Sequence, residues 1–283
     1  MSLSRFSIWR GSRAGLPDYI GPAVEEAGFA RLWLGNPPQS LDIVEKILSE
    51  TQSLQVASGI VNIWHADPHV VATSYHRVEQ GYPGRFLLGI GTGHRESVAQ
   101  YERPYDAISA YLDVLDAEGV PVERRVLAAL GPRLLKLAGE RSAGAHPYLV
   151  PPEHTARARA ILGPDKLLVP EHKVVMDTDP DSARTTGRTR VQTPYLGLAN
   201  YTNNLRRLGF GDDDLAGAGS DRLIDALVAH GDPDSVATAL GAHLEAGADE
   251  VAVQLVVAGD ADLRPGLTAL ADALGTYEAA HPA

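Results

Sequence analysis

The sequence predicts an α/β fold, a (β/α)8 TIM barrel that occupies residues 1–283 as a single domain. About eight short apolar segments alternate with helical ones, a pattern typical of a parallel sheet covered by helices. The apolar segments are nearly continuous and end at glycines, as buried parallel strands do. The length of 283 residues fits this architecture, which commonly takes about 250 residues.

Eight segments have the composition of strands, and helical patterns separate them. The predicted strands are Arg5–Trp9, Arg31–Leu34, Leu54–Val61, Phe86–Ile90, Arg125–Leu130, Ala143–Val150, Lys166–Met176 with an interruption at Pro170, and Val251–Val257. Helices are predicted over 23–28, 42–50, 68–80, 104–115, 133–139, 152–162, 233–247 and 263–274.

Helix ends can be recognised at several places. Gly28 is a natural residue to follow the first helix. Asp67 and Asp232 each precede a proline, which is the pattern of an N-cap followed by proline in the first turn. Ser40 or Asp42 is expected to cap the second helix.

One stretch exceeds what a strand-to-helix connection needs. Residues 178–231 hold several helical pieces, together with Tyr195 and Tyr201. We therefore expect an insertion after the seventh strand, at about 178–231.

Composition excludes several functions. The net charge of −11 argues against a nucleic-acid surface. The absence of cysteine excludes disulfides, thiolate metal sites and a cysteine nucleophile. No apolar run approaches the roughly 20 residues of a membrane span, and the N-terminus lacks a signal-peptide core. A cytoplasmic protein acting on a small molecule, without nucleic-acid or membrane partners, is expected.

The segment from Phe86 to His94 points to a ligand site. Its strand ends in Gly91-Thr92-Gly93-His94, and ligands in an α/β barrel bind after the carboxyl ends of strands. Glycines let a flat ligand approach the main chain, Thr92 offers a hydroxyl, and His94 can exchange a proton near neutral pH. A plain strand exit would explain the glycines about equally well.

Two further loops suit an anion. Gly131-Pro132-Arg133 begins a helix, whose first amides lack partners within the helix. Residues 142–146 follow the next strand and can add backbone donors. Ordinary helix starts are an equally good interpretation.

Other side chains at strand ends leave alternatives open. Trp9 and Trp64 can line an apolar pocket or pack at the rim. His65, Asp67 and His69 suggest a metal site, although Asp67 is better explained as a cap, and we predict no metal. No nucleophile elbow, Walker loop or convincing Rossmann fingerprint is present.

Taken together and in order, these segments resemble the bacterial-luciferase-like flavin and deazaflavin oxidoreductases, in particular the branch that uses coenzyme F420. The resemblance is carried by residues 26–33, 57–62, 84–93, 103–108, 111–115, 127–133, 143–147 and 231–235. It covers most of the chain.

This resemblance implies a TIM barrel with an insertion after strand seven and a cofactor ring across its open end. It implies a bulge in strand three with a cis peptide, which falls on Gly59–Ile60. The implied cofactor-binding residues are Asn36, Gly59, Ile60, Asn62, Gly91, Thr92, Gly131, Pro132, Arg133, Gly144, Ala145 and His146. The phosphate is expected on the amides of 131–133 and 143–146.

The expected reaction is hydride transfer between C5 of the deazaflavin and a small organic substrate, by a homodimer. His94 is the expected proton donor or acceptor, and Trp9, Trp64, Tyr195 and Tyr201 are expected to line the substrate pocket. Relatives often have an acid where this chain has Asn36, and some have a glutamate where it has His94. Both departures leave the substrate open.

Three alternatives remain. The first is an FMN-dependent monooxygenase on the same fold. The second is a metal-dependent barrel hydrolase that uses His65 and Asp67. The third is a protein that binds F420 or flavin without turnover.

Overall fold

A computed structural model describes residues 3–12, 16–93, 103–257, 259 and 261–282. In these residues the strands are β1 Phe6–Gly11, β2 Arg31–Gly35, β3 Gln55–Ser58, β4 Val61–Asn62, β5 Phe86–Gly91, β6 Arg125–Leu127, β7 Gly144–Ala145, β8 Leu167–Leu168, β9 Glu171–Val175, β10 Val228–His230 and β11 Val251–Leu255. The helices are α1 Ile20–Glu26, α2 Asp42–Ser49, α3 Pro68–Gly81, α4 Pro104–Ala117, α5 Pro132–Arg141, α6 Pro152–Leu162, α7 Pro180–Val191, α8 Ala199–Arg207, α9 Asp212–Leu215, α10 Asp221–Leu227, α11 Pro233–Glu245 and α12 Arg264–Ala280.

The strands form one parallel sheet in the order β10-β9-β11-β1-β2-β3-β5-β6-β7-β8, with β4 paired to β5. Only Val169 and Pro170 separate β8 from β9. The amide of Val169 donates to Ala145 O on β7, and Ala252 N on β11 donates to Pro170 O, each at 2.9 Å. One segment therefore contacts strands from both sides, and the sheet is curled. This arrangement confirms the predicted α/β fold and is consistent with a TIM-barrel-like architecture.

Alternation along the strands separates two apolar layers. Ile8 and Leu32 belong to the large cluster between the sheet and its helices. Trp9 and Trp33, their neighbours in sequence, belong to a smaller cluster inside the curl. The inner cluster also contains Ala57, Leu87, Val126, Val169 and Ala252. The inside of the curl is therefore filled by side chains from β1, β2, β3, β5, β6 and β11, together with Val169.

The segment expected to be an insertion folds into α7, α8, α9, α10 and β10, and β10 pairs with β9. Its apolar side chains form a third cluster, which includes Val175 at the end of β9 and Val256 just after β11. These helices therefore pack at the carboxyl ends of β9 and β11.

Most local predictions are confirmed. Asp67 accepts from His69 N at 2.9 Å and Asp232 accepts from Ser235 N at 2.8 Å, so both are N-caps. Gly28 has a φ of +95°, as expected after a helix. No helix within the described residues is long and apolar enough to cross a membrane.

Three local predictions are wrong. The fifth strand covers Arg125–Leu127 and does not reach Leu130. Neither Ser40 nor Asp42 caps α2; its N-cap is Leu41, in the left-handed region, with no side-chain hydrogen bond. The sixth strand is limited to Gly144–Ala145, since the chain turns away where Leu149 adopts a φ of +56°.

Candidate active site

Trp9 lies at the centre of the end of the sheet where the strands finish, which we call the mouth. Its side chain is buried, and its indole Nε1 donates to Gly59 O at 3.2 Å. A Cβ atom added at Gly35 would overlap the indole, and one at Gly59 would lie 2.8 Å from Nε1. Glycines on two neighbouring strands therefore make room for this ring. Trp9, expected to line the substrate pocket, is buried against these two glycines.

The bulge in the third strand follows the resemblance closely. The peptide bond between Gly59 and Ile60 is cis, and it separates β3 from β4. Gly59, Ile60, Thr92 and Gly93 are partly exposed at the mouth. Main chain from two adjacent strand ends thus forms a surface that a planar ring can lie against. We call this surface, made by Gly59, Ile60, Thr92 and Gly93, the floor.

Asn62 and Trp64 secure this surface from one side. Asn62 Oδ1 accepts from Trp64 N at 3.1 Å, and the Trp64 indole donates to Thr92 O at 2.5 Å. A Cβ atom at Gly93, which has a φ of +55°, would overlap Asn62 Nδ2. These contacts hold the loops after β4 and β5 together.

His146 lies beneath the floor rather than at its surface. Its ring stacks on Trp33 at a centroid distance of 4.1 Å, and Nδ1 bonds to Val169 O at 2.7 Å. Burial lowers the pKa of His146 to about 4, so the ring is neutral at pH 7. Its Nε2 has no partner within the described structure and faces Gly59, where an added Cβ atom would lie 2.9 Å away.

Of the two loops expected to hold a phosphate, one offers free donors. Gly131 is the N-cap of α5 and uses no side-chain cap, so the first amides of that helix face outward. Arg133 lies over the Tyr105 ring at 4.7 Å.

In the other loop, the amides already have partners within the protein. Ala143 N donates to Arg125 O and His146 N to Leu127 O, both on β6. Gly144 N donates to Ser142 Oγ. Gly144, Ala145 and His146 are buried. A phosphate in this structure would therefore rely on the start of α5.

The sequence did not single out a buried ion pair beside the floor. Lys173 Nζ donates to Glu171 Oε1 at 2.9 Å, and both side chains are fully buried. Burial raises the pKa of Glu171 and lowers that of Lys173, and in each case the partner's charge opposes the effect. The signal available in the sequence was two charged residues two positions apart in a predicted strand, which puts both on one face.

Tyr148, also missed, connects this pair to the predicted aromatic residues. Its ring lies 5.0 Å from Trp9 and 5.3 Å from Tyr195, and Lys173 Nζ is 4.2 Å from its centroid. Tyr195 and Tyr201 lie 5.0 Å apart, edge to face. Three of the four predicted pocket residues, all but Trp64, therefore meet around Tyr148.

The remaining predicted residues are separate from these. Asn36 follows β2, is exposed and has a φ of +54°. His94 lies outside the described residues. His69 pairs with Glu118 at 2.7 Å instead of turning toward His65. No cluster of three potential metal ligands occurs in the part of the chain that the structure describes.

Comparisons with known proteins point to one family and one fold. Residues 20–119 match the family model described as luciferase-like monooxygenase. A 5,10-methylenetetrahydromethanopterin reductase from Archaeoglobus fulgidus is 20% identical over an alignment of 292 positions. The alignment covers 83% of this chain and 87% of the relative.

Solved structures share the fold over nearly the whole chain. An F420-dependent secondary alcohol dehydrogenase superposes with a TM-score of 0.73 at 13% identity, covering 97% of this chain and 99% of its own. The oxygenating constituent of a 3,6-diketocamphane monooxygenase from Pseudomonas putida, in complex with FMN, has a TM-score of 0.69 at 15% identity, covering 95% and 96%.

Proposed function

Because residues 20–119 match the luciferase-like monooxygenase family model, we propose that this chain is an F420-dependent oxidoreductase. It transfers a hydride between the deazaflavin C5 and a small organic substrate. The oxidoreductase class is supported by the relatives, which include a reductase, an F420-dependent dehydrogenase and an FMN-bound monooxygenase. The choice of F420 and of hydride transfer is our proposal.

The observation that carries this proposal is the main-chain floor. Gly59–Ile60 and Thr92–Gly93 are partly exposed next to one another, with Trp9 filling the space beneath. A flat heterocycle can lie against such a surface without displacing a side chain. The free amides at the start of α5 suit the phosphate of a phosphorylated cofactor.

We further propose that the curled sheet is a closed eight-stranded barrel, in which β8 and β9 together form the seventh strand. The hydrogen bonds that Val169 and Pro170 make to the two sides support this closure. Residues 178–231 are then the insertion after strand seven, and they supply Tyr195 and Tyr201 to the mouth.

When bound, F420 accepts or gives a hydride at C5 of its ring. The chain's part is to position the reactants and exclude water. Thr92 and Asn36 offer hydrogen bonds to the ring, and Arg133 adds positive charge beside the amides of α5. His94 remains the predicted proton donor or acceptor, at its imidazole. A homodimer in the cytoplasm stays our prediction.

FMN-dependent monooxygenation is the second candidate, and the FMN-bound structural relative supports it. Equilibrium titration of the protein with F420, FMN and NADPH separates the two. We expect F420 to bind most tightly, followed by a change in its oxidation state with a suitable substrate. Tighter binding of FMN, with oxygen consumption on reduction, would favour the monooxygenase. Binding without any turnover would favour a carrier, and stoichiometric zinc or manganese would favour the hydrolase.

A further inference from the structure

The polar cluster at the mouth contains a phenol whose surroundings fit a proton donor. Tyr148 Oη donates to Gln254 Oε1 at 3.0 Å and accepts from Tyr195 Oη at 3.1 Å. Tyr148 and Gln254 are both partly exposed. Since the Tyr148 ring packs on Trp9, whose indole bonds to Gly59 O, the phenol is one side chain away from the floor.

A buried charge pair fixes the position of this phenol. Glu171 Oε2 accepts from Leu149 N at 2.9 Å, so the carboxylate holds the residue that follows Tyr148 in its left-handed conformation. Glu171 Oε1 accepts from Lys173 Nζ, which in turn lies over the Tyr148 ring. Two buried charges are costly to keep, and removal of either partner would leave the other uncompensated.

Charge near the ring favours proton loss at the moment of reaction. The Lys173 ammonium lies 4.2 Å from the ring centroid and 5.4 Å from that of Tyr195. At that distance the ammonium attracts a negative charge that forms on the phenol oxygen, whereas the Glu171 carboxylate paired with it opposes that charge. At rest, burial and the Glu171 carboxylate raise the pKa of Tyr148, so the phenol keeps its proton at neutral pH.

We propose that Tyr148, in place of the predicted His94, donates the proton to the oxygen of a carbonyl substrate that is reduced at this mouth, with Glu171 and Lys173 as positioning residues. This assignment rests on the proposed hydride transfer. The hydride adds to the carbonyl carbon as the C=O π bond breaks, and the Tyr148 proton passes to the carbonyl oxygen. The substrate is reduced to an alcohol and the cofactor is oxidised. The phenolate then regains a proton from water through Tyr195.

The first test needs no cofactor turnover. The infrared C=O stretch of acetophenone is measured with the wild type, Tyr148→Phe and Tyr111→Phe. Tyr111 is the matched control, because its buried hydroxyl on α4 has no hydrogen-bond partner in the described structure. We expect a shift to lower frequency with the wild type and the control, and its loss with Y148F. Equal bands for all three would overturn the assignment.

The second test measures turnover of reduced F420 with acetophenone, cyclohexanone and benzaldehyde. Y148F is expected to lower kcat by about 100-fold or more while F420 binding is unchanged, since a general acid contributes on that order. Lys173→Met is expected to lower kcat and to change the pH dependence of kcat. Lys173→Arg, which keeps the positive charge, should restore both in part. If K173M does not fold, Gln254→Leu replaces it, with a smaller loss of kcat expected.

The outcomes separate this inference from the proposed function. A protein that does not bind F420 fails the proposed function. A protein that binds F420 and reduces an activated alkene, but none of the carbonyls, keeps the proposed function and overturns the role of Tyr148. Full activity of Y148F on any carbonyl overturns it as well.

Discussion

Replacing Gly59 by alanine tests how tightly the floor is packed. The added Cβ atom would lie 2.8 Å from Trp9 Nε1 and 2.9 Å from His146 Nε2. Trp9 cannot retreat because it already fills the space over Gly35. His146 cannot retreat because it stacks on Trp33 and bonds to Val169 O. The main chain must therefore move.

Overpacking of this kind costs about 1–3 kcal/mol. We expect a loss of about 2 kcal/mol in the free energy of unfolding for Gly59→Ala, and a fall in Tm of about 4–8 °C. Urea unfolding followed by tryptophan fluorescence measures the first, and calorimetry the second. F420 affinity should fall too, because Ile60 moves with Gly59.

Gly275→Ala is the matched control. An added Cβ atom at Gly275, within α12, meets nothing within 4 Å. Alanine there should stabilise the protein by about 0.5–1 kcal/mol. If Gly59→Ala unfolds at the wild-type urea concentration, the packing argument for the floor is refuted.

The remaining predictions concern pH and a helix cap. Burial lowers the pKa of His146 and of His172 to about 4. In the unfolded chain each histidine has a pKa near 6.5, so between these two values the unfolded chain binds more protons than the folded one. Urea unfolding at pH 7, 5.5 and 4.5 should show stability falling as pH drops from about 6.5 toward 4, by about 3 kcal/mol for each histidine; a flat profile would contradict this. Asp67→Ala removes the cap of α3 and should cost about 1 kcal/mol, measured by thermal unfolding, with Asp67→Asn retaining most of the stability; no loss with alanine would contradict the capping role.

Much of the fold could be predicted because its signals are local. Proline after Asp67 and Asp232 marks a helix start, and glycine at 28 marks a helix end, whatever the rest of the chain does. Leu41 at a helix N-cap and Leu149 at positive φ gave no such signal. Leu41 is fully buried, and Leu149 donates its amide to Glu171 on β9, so both conformations depend on contacts that the local sequence does not show.

The site was predicted in part for the same reason. The strand exits follow from order along the chain, and the bulge at Gly59 was implied by the family resemblance. The depth of a side chain follows from neither, so the burial of Trp9 and His146 was not predicted. Tyr148 was missed because its importance comes from Lys173 beneath it and Gln254 beside it, residues far apart in sequence.

Hydrogen–deuterium exchange with and without F420 tests the central claim most directly. If main chain at the mouth holds the cofactor, F420 should slow exchange in peptides that cover residues 59–62, 91–93 and 131–135, with little change in α12. Protection confined to other segments, or none at saturating F420, would contradict the claim.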